Sequence, residues 1–259
     1  MEITIERLLD GKPTVIKDKE YLETSAYIAP FIGFMKKFTN EFYAWAQTPS
    51  QLTLTDNKKD ITYNRVWIQA VMPKDVDGFA ETFNLVYGLD VRQPVYKIFK
   101  AYKNRKNNNL FVFDSRWLSV YELKPSEKFN NFEQQILNLM QMVDDSPIRI
   151  KKMKSENLIR SNETKQESLG NLIERSILYE YKTKAGKTKL SPIVVLKAYE
   201  NVYLNSSSKY YVPNSEECSL FNMYNAFSSL VQQDDKDILS QWEKLALCSQ
   251  ILNEEILWK

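Results

Sequence analysis

The sequence predicts an α+β fold: an antiparallel sheet with flanking helices and a C-terminal helical hairpin. Three observations carry that expectation. β-Branched and aromatic residues crowd positions 51–124 in short runs divided by turn residues. Apolar residues recur every three or four positions on both sides of that region. Residues 215–258 carry two such apolar stripes in succession.

Tyr27, Phe31, Phe34, Met35, Phe38, Phe42 and Trp45 form the first stripe. It reads as one amphipathic helix, with Pro30 in its first turn and Thr48-Pro49 ending it. Leu52 and Leu54, a polar run over 56–60, and residues 61–71 then read as a β-hairpin. Further strands are expected over 82–89 and 95–102, the second of which also shows helical spacing. An asparagine-rich turn at 104–109 leads to strands at 110–113 and 117–123.

Phe129, Phe132, Ile136, Leu139, Met140 and Val143 predict a helix, stopped by Asp144-Asp145-Ser146-Pro147. Leu169, Leu172, Ile173 and Ile177 predict another, and 193–204 reads as a strand after a turn at Gly186. Residues 153–166 are polar enough to be an exposed connection. Asn214 and Glu217 have capping-box spacing ahead of Leu220, Met223, Tyr224, Phe227 and Val231. A last helix follows, with Asp235 near its start and Ile238, Trp242, Leu245, Cys248 and Leu252 on one face. No repeat or low-complexity linker interrupts the chain, so a single composite domain over 1–259 is expected.

At 259 residues, 43% of them hydrophobic, with 6 Gly and 9 Pro, the chain can bury a sizeable core. No stretch approaches the roughly 18 uninterrupted apolar residues of a membrane span. Glu2, Glu6 and Asp10 stand where a secretory signal would be basic and then apolar, so a cytoplasmic protein with no membrane partner is expected. Cys218 and Cys248 have no neighbouring Cys or His and read as core residues rather than a disulfide or zinc site. The chain contains no histidine, which removes Ser-His-Asp and Cys-His mechanisms, haem ligation and most zinc catalysis. Carboxylate, lysine, tyrosine and magnesium chemistry remain. A formal charge of +2 is too small to indicate a partner, so only local clustering is informative.

Five cations, Lys97, Lys100, Lys103, Arg105 and Lys106, lie in a stretch without an acid and alternate with Tyr96, Phe99 and Tyr102. Clustered cations neutralise phosphates and exposed rings stack on unpaired bases, so this stretch is a candidate nucleic-acid contact. The structural alternative is a solvated hairpin tip with its rings turned into the core. Two stretches repeat the pattern: Arg149, Lys151, Lys152 and Lys154, then Tyr181, Lys182, Lys184, Lys187 and Lys189 around Gly186.

Asp114, Glu122 and Lys124 look like the metal-binding core of PD-(D/E)xK nucleases, in which two carboxylates bind magnesium and a lysine assists the attacking water. Phe113 replaces the usual proline, and a second Glu-x-Lys in Tyr179-Glu180-Tyr181-Lys182 shows how readily the pattern arises. No glycine-rich phosphate loop is present, which argues against ATP-driven motors and Rossmann enzymes.

At 110–125, and at 219–227 with Asn225-Ala226-Phe227, the chain resembles a domain-of-unknown-function family of phage/plasmid-like proteins. Tyr224-Asn225-Ala226 matches the tyrosine-asparagine-alanine of the family's C-terminal helix, whereas Asn107-Asn108-Asn109-Leu110 replaces its Cys-containing segment. The resemblance implies a mobile-element gene acting in replication, recombination or defence evasion, with no catalytic residues to carry over.

The leading expectation is therefore a phage- or plasmid-encoded nucleic-acid-binding accessory protein, binding or annealing single-stranded DNA without metal or other cofactor. The alternatives are a magnesium-dependent nuclease using Asp114, Glu122 and Lys124, and a non-enzymatic virion component or inhibitor of a host defence complex.

Overall fold

The structure, a computed structural model, describes residues 4–6, 14–16, 19–21, 24–47, 65–88, 95–113, 115–122, 132–142, 145–159, 163–183, 186–214, 217–233 and 238–252. In chain order the elements are β1 (Thr14–Ile16), β2 (Lys19–Tyr21), α1 (Thr24–Met35), β3 (Glu41–Gln47), β4 (Arg65–Val76), β5 (Phe79–Gly88), β6 (Val95–Asn104), β7 (Leu110–Phe111) and β8 (Leu118–Glu122). They continue as α2 (Phe132–Gln141), α3 (Ser146–Ser155), α4 (Lys165–Leu178), β9 (Tyr181–Thr183), β10 (Gly186–Thr188), α5 (Pro192–Tyr203), α6 (Leu220–Gln233) and α7 (Gln241–Leu252). The fold is α+β, as the sequence predicts. No helix among the described residues is long and apolar enough to cross a membrane.

The chain divides into two compact units. The first takes the described residues within Met1–Asp75, Phe79–Lys103 and Arg116–Met142, and the second those within Val76–Gly78, Asn104–Ser115 and Val143–Lys259.

In the first unit, β3, β4, β5 and β6 lie side by side in that order, and β8 runs antiparallel to β6 with Val95 opposite Glu122. β3 pairs antiparallel with β4, setting Trp45 opposite Trp67 with ring centroids 5.2 Å apart. An expected helix across Tyr27–Trp45 is corrected here. The helix ends at Met35, and Phe42 and Trp45 belong to β3. Thr39 explains the break. Its hydroxyl donates to the Val71 carbonyl at 2.5 Å and accepts from the Glu41 amide at 3.0 Å, turning the chain onto the sheet. Pro30 sits inside α1 rather than in its first turn. Residues 65–71 of the expected 61–71 strand open β4, which pairs with β3 on one side and β5 on the other, while residues 51–64 lie outside the described residues.

A buried polar chain crosses this sheet. Trp67 Nε1 and Gln69 Nε2 donate to Asn84 Oδ1, Asn84 Nδ2 donates to Thr82 Oγ1, and Thr82 Oγ1 donates to the Ala101 carbonyl, all at 3.0–3.1 Å. Each buried group thus has a partner and escapes the penalty of an unmet hydrogen bond.

In the second unit, Asp77 and Gly78 both have positive φ, 54° and 81°. That is the conformation a two-residue type I′ hairpin turn requires and Asp-Gly favours. The asparagine turn forms where expected: the Asn104 amide donates to the Asn109 carbonyl and the Asn108 amide to the Asn104 carbonyl, both at 2.8 Å. Asn108 occupies the left-handed region at φ 61°, which asparagine tolerates better than most residues.

Three expectations fail in this unit. Residues 193–203 lie in a helix, α5, because Ser191 caps its first turn, Pro192 fits there, and Val195, Ala198, Tyr199, Val202 and Tyr203 make one buried helical face. Ser146-Pro147 opens α3 as well as following α2, so residues 153–155 are helical and Met153 is buried. Asn214 does bond to Glu217 at 3.0 Å, but ahead of the helix; the reciprocal cap of α6 is made by Ser219 and Asn222, whose backbone amides and side-chain oxygens pair at 3.2 and 3.3 Å. The stripes on α6 and α7 bury Met223, Tyr224, Phe227, Trp242, Leu245 and Cys248 between packed helices, as expected.

Candidate nucleic-acid interface

Strand alternation decides the fate of the first basic stretch. In β6 the residues Tyr96, Lys100 and Tyr102 share one face and Lys97, Phe99 and Lys103 the other. Both faces are buried. Tyr96 and Lys100 are each 1% exposed, and Lys97, Tyr102 and Lys103 are also buried.

The ammonium of Lys100 lies 2.5 Å from Glu81 Oε1 and 5.2 Å from the Trp117 ring centroid. That of Lys103 lies 3.5 Å from the Tyr43 ring centroid. Such desolvated cations need an anion or a π face, and these side chains have found theirs within the unit. The exposed stacking platform expected of Tyr96 and Tyr102 is therefore corrected: their rings are core, with Tyr102 against Trp117 at 5.9 Å. Of that stretch only Arg105, half-buried, and Lys106, exposed, reach solvent; both lie in the asparagine turn of the second unit.

The second stretch follows helical rather than strand periodicity. Arg149 of α3 is buried, pairing with Asp145 at 2.8 Å and donating to the Phe113 carbonyl at 2.9 Å. Lys151, Lys152 and Lys154 face solvent, with Lys152 near Glu156 at 3.9 Å and Lys154 above Phe221 at 5.3 Å.

The third stretch is the antiparallel ribbon β9–β10, in which Lys182 stands opposite Lys187. Glu180 and Lys182 are two apart, as are Lys187 and Lys189, so all four share one face of the ribbon. On the other face Tyr181 packs edge-on against Trp242 at 5.4 Å, fixing which side looks outward. The side chains of Lys182, Lys187 and Lys189 are 68%, 64% and 56% exposed. Their ammonium groups lie 3.1, 3.2 and 3.9 Å from the Glu180 carboxylate. Hydrogen bonds from Lys182, then Lys187, hold that carboxyl below the ordinary carboxylate range. Lys184 lies outside the described residues.

Of the magnesium candidates, Asp114 and Lys124 lie outside the described residues, and Glu122 is placed only as the last residue of β8. Among the described residues no group of three His, Cys, Asp or Glu side chains could hold a metal ion.

Sequence reasoning passes over Glu180, which reads there only as a stray Glu-x-Lys. The alternation of Glu180, Lys182, Lys187 and Lys189 about a turn at Gly186 is the available signal, because a hairpin there puts all four on one face. No protein-family model, curated protein or solved structure matches the chain.

Proposed function

We propose that the chain is a nucleic-acid-binding accessory protein of a phage or plasmid, which binds single-stranded DNA by its phosphates rather than by stacking on its bases. One observation carries the reading: three well-exposed ammonium groups on one ribbon face surround a single carboxylate, leaving a local surplus of positive charge. Arg105 and Lys106 add cations in the same unit. Phosphate neutralisation releases condensed counterions, and that entropy gain needs clustered cations rather than a large net charge. Protection or annealing of single strands in replication or recombination is the role this binding would serve.

Fluorescence anisotropy of a labelled oligonucleotide, titrated at several salt concentrations, tests it. Affinity should fall steeply with salt. Lys182→Gln, Lys187→Gln and Lys189→Gln should each flatten the log–log slope by about 0.7 on single strands for every phosphate they leave unneutralised. Absence of binding at low salt would sink the proposal. Unchanged binding after all three substitutions would sink the choice of residues. Cleavage of the oligonucleotide on adding magnesium would move the assignment to a nuclease.

A further inference from the structure

Lys182 and Lys187 face each other directly across the β9–β10 ribbon, and continuing that register by one pair sets Lys189 opposite Glu180. Like charges directly opposed on a two-stranded ribbon destabilise it unless an anion lies between them. Glu180 is that anion: Oε1 takes Lys182 at 3.1 Å and Lys187 at 3.2 Å, while Oε2 is 3.9 Å from Lys189. Lys189 also donates to the Ile177 carbonyl at 3.4 Å, in the last turn of α4, where the helix dipole favours a cation. The cluster is thereby tied to a helix end.

We infer that Lys182, Lys187 and Lys189 form a seat for one phosphate group of a nucleic acid, and that the Glu180 carboxylate is its built-in occupant, displaced when the phosphate enters. The inference rests on the nucleic-acid reading above and deepens it by naming the subsite. A carboxylate offers two oxygens and one negative charge. A phosphodiester offers two non-bridging oxygens and one negative charge, so it can replace Glu180 at the same three ammonium groups without rebuilding the ribbon. With one carboxylate among three lysines the seat keeps a surplus of two positive charges, so an incoming anion is still attracted. It must nevertheless break the contacts Glu180 makes. Small single anions gain too little from that exchange, whereas a polymer held at neighbouring cations presents its phosphates at high local concentration.

The test compares wild type with Glu180→Gln in anisotropy titrations with a labelled oligothymidylate. Exposed ion pairs are individually weak, so removing this competitor should tighten binding roughly three- to tenfold at low salt and progressively less as salt screens the site. Unchanged or weakened binding by Glu180→Gln overturns the inference, because a carboxylate that merely organises the lysines would be missed once removed. A second measurement needs no variant: the carboxyl carbon resonance of Glu180 in the wild-type protein, followed by NMR during titration with unlabelled oligothymidylate, should move toward that of an unpaired carboxylate. A resonance that stays fixed as the complex forms also overturns it. If Lys182→Gln/Lys187→Gln/Lys189→Gln binds like wild type, the nucleic-acid reading has failed at this ribbon. If that variant loses binding while Glu180→Gln changes nothing, only the displacement has failed.

Discussion

Asn109 donates its side-chain amide to both the backbone carbonyl and the side-chain oxygen of Asn225, each at 3.0 Å. Asn107 Nδ2 adds a third bond to the same Oδ1 at 2.9 Å, and Asn225 Nδ2 in turn donates to the Phe221 carbonyl at 2.9 Å. Farther along the same face of α6, Ser228 Oγ donates to the Leu110 carbonyl at 2.8 Å and Gln232 Oε1 accepts from the Leu110 amide at 2.8 Å. The asparagine turn is thus latched to positions 225, 228 and 232, spaced as one side of a helix. Residues 107–110 and 225–232 are therefore bonded to each other, and Asn225 has a structural task in this chain.

Asn225→Ala should destabilise the protein. It removes the oxygen shared by Asn107 and Asn109; Asn109 keeps the backbone carbonyl of residue 225, so the cost is that of the lost bond from Asn107 and the weakened one from Asn109, about 1 kcal/mol or a little more. A urea titration should show a lower midpoint at unchanged slope; a midpoint equal to that of wild type would show that the latch contributes nothing.

Burial of Lys100 leads to a second expectation. Glu81→Gln leaves that ammonium without its carboxylate, and breaking a buried pair costs about 3–5 kcal/mol. Glu81 is 26% exposed, so solvent screening should bring the cost toward the lower end of that range or below it. Glu81→Gln combined with Lys100→Met removes the stranded charge and should be the more stable of the two variants by thermal melting. The reverse order would mean that the contacts Lys100 keeps, those with the Trp117 and Tyr102 rings among them, suffice to hold the cation.

Phe227 and Trp242, 0% and 1% exposed, lie on the two C-terminal helices. Truncating either to alanine should cost about 3–5 kcal/mol, a large share of a domain's stability. Wild-type melting of either variant would place these helices outside the cooperative core.

Helices with one clean apolar stripe are legible in the sequence: α2, α4 and α6 lie where their periodicity puts them, whereas α7 begins only at Gln241, after a 3-10 turn at Ile238–Ser240, and Asp235, expected near its start, lies outside the described residues. The first stripe is not legible, because Phe38, Phe42 and Trp45 keep helical spacing while Thr39 bonds the chain to Val71 and starts a strand. Ile193-Val194-Val195 favours a strand by composition, yet Ser191-Pro192 and the face from Val195 to Tyr203 make a helix. Asp77-Gly78 is a strong short hairpin signal that its strand-rich surroundings mask. For the site, clustering finds the basic residues, but clustering alone does not separate Lys100, buried beside Glu81, from Lys187, exposed on a ribbon. That difference depends on whether the strand has one covered face or two.

The last prediction concerns the two thiols. Cys218 and Cys248 are buried and unpaired with each other. Burial pushes the Cys218 thiol up from 9.0 to about 11, and it pushes that of Cys248 up as well. Since only the thiolate attacks disulfide reagents, neither cysteine should react in the native protein at pH 8, and both should react once it is unfolded in guanidinium. The same burial makes stability depend on alkaline pH. The native thiol of Cys218 holds its proton more tightly than the unfolded chain does, so its contribution is complete below about pH 9 and disappears as pH rises toward about 11. Tyr203 and Tyr199 beside it are also raised by burial and act in the same direction. Urea midpoints measured from pH 7 to pH 11 should therefore be flat at first and fall above pH 9. Rapid labelling of Cys218 at neutral pH, or a midpoint that stays constant to pH 11, would mean that the pocket around Cys218 opens to solvent in the native protein.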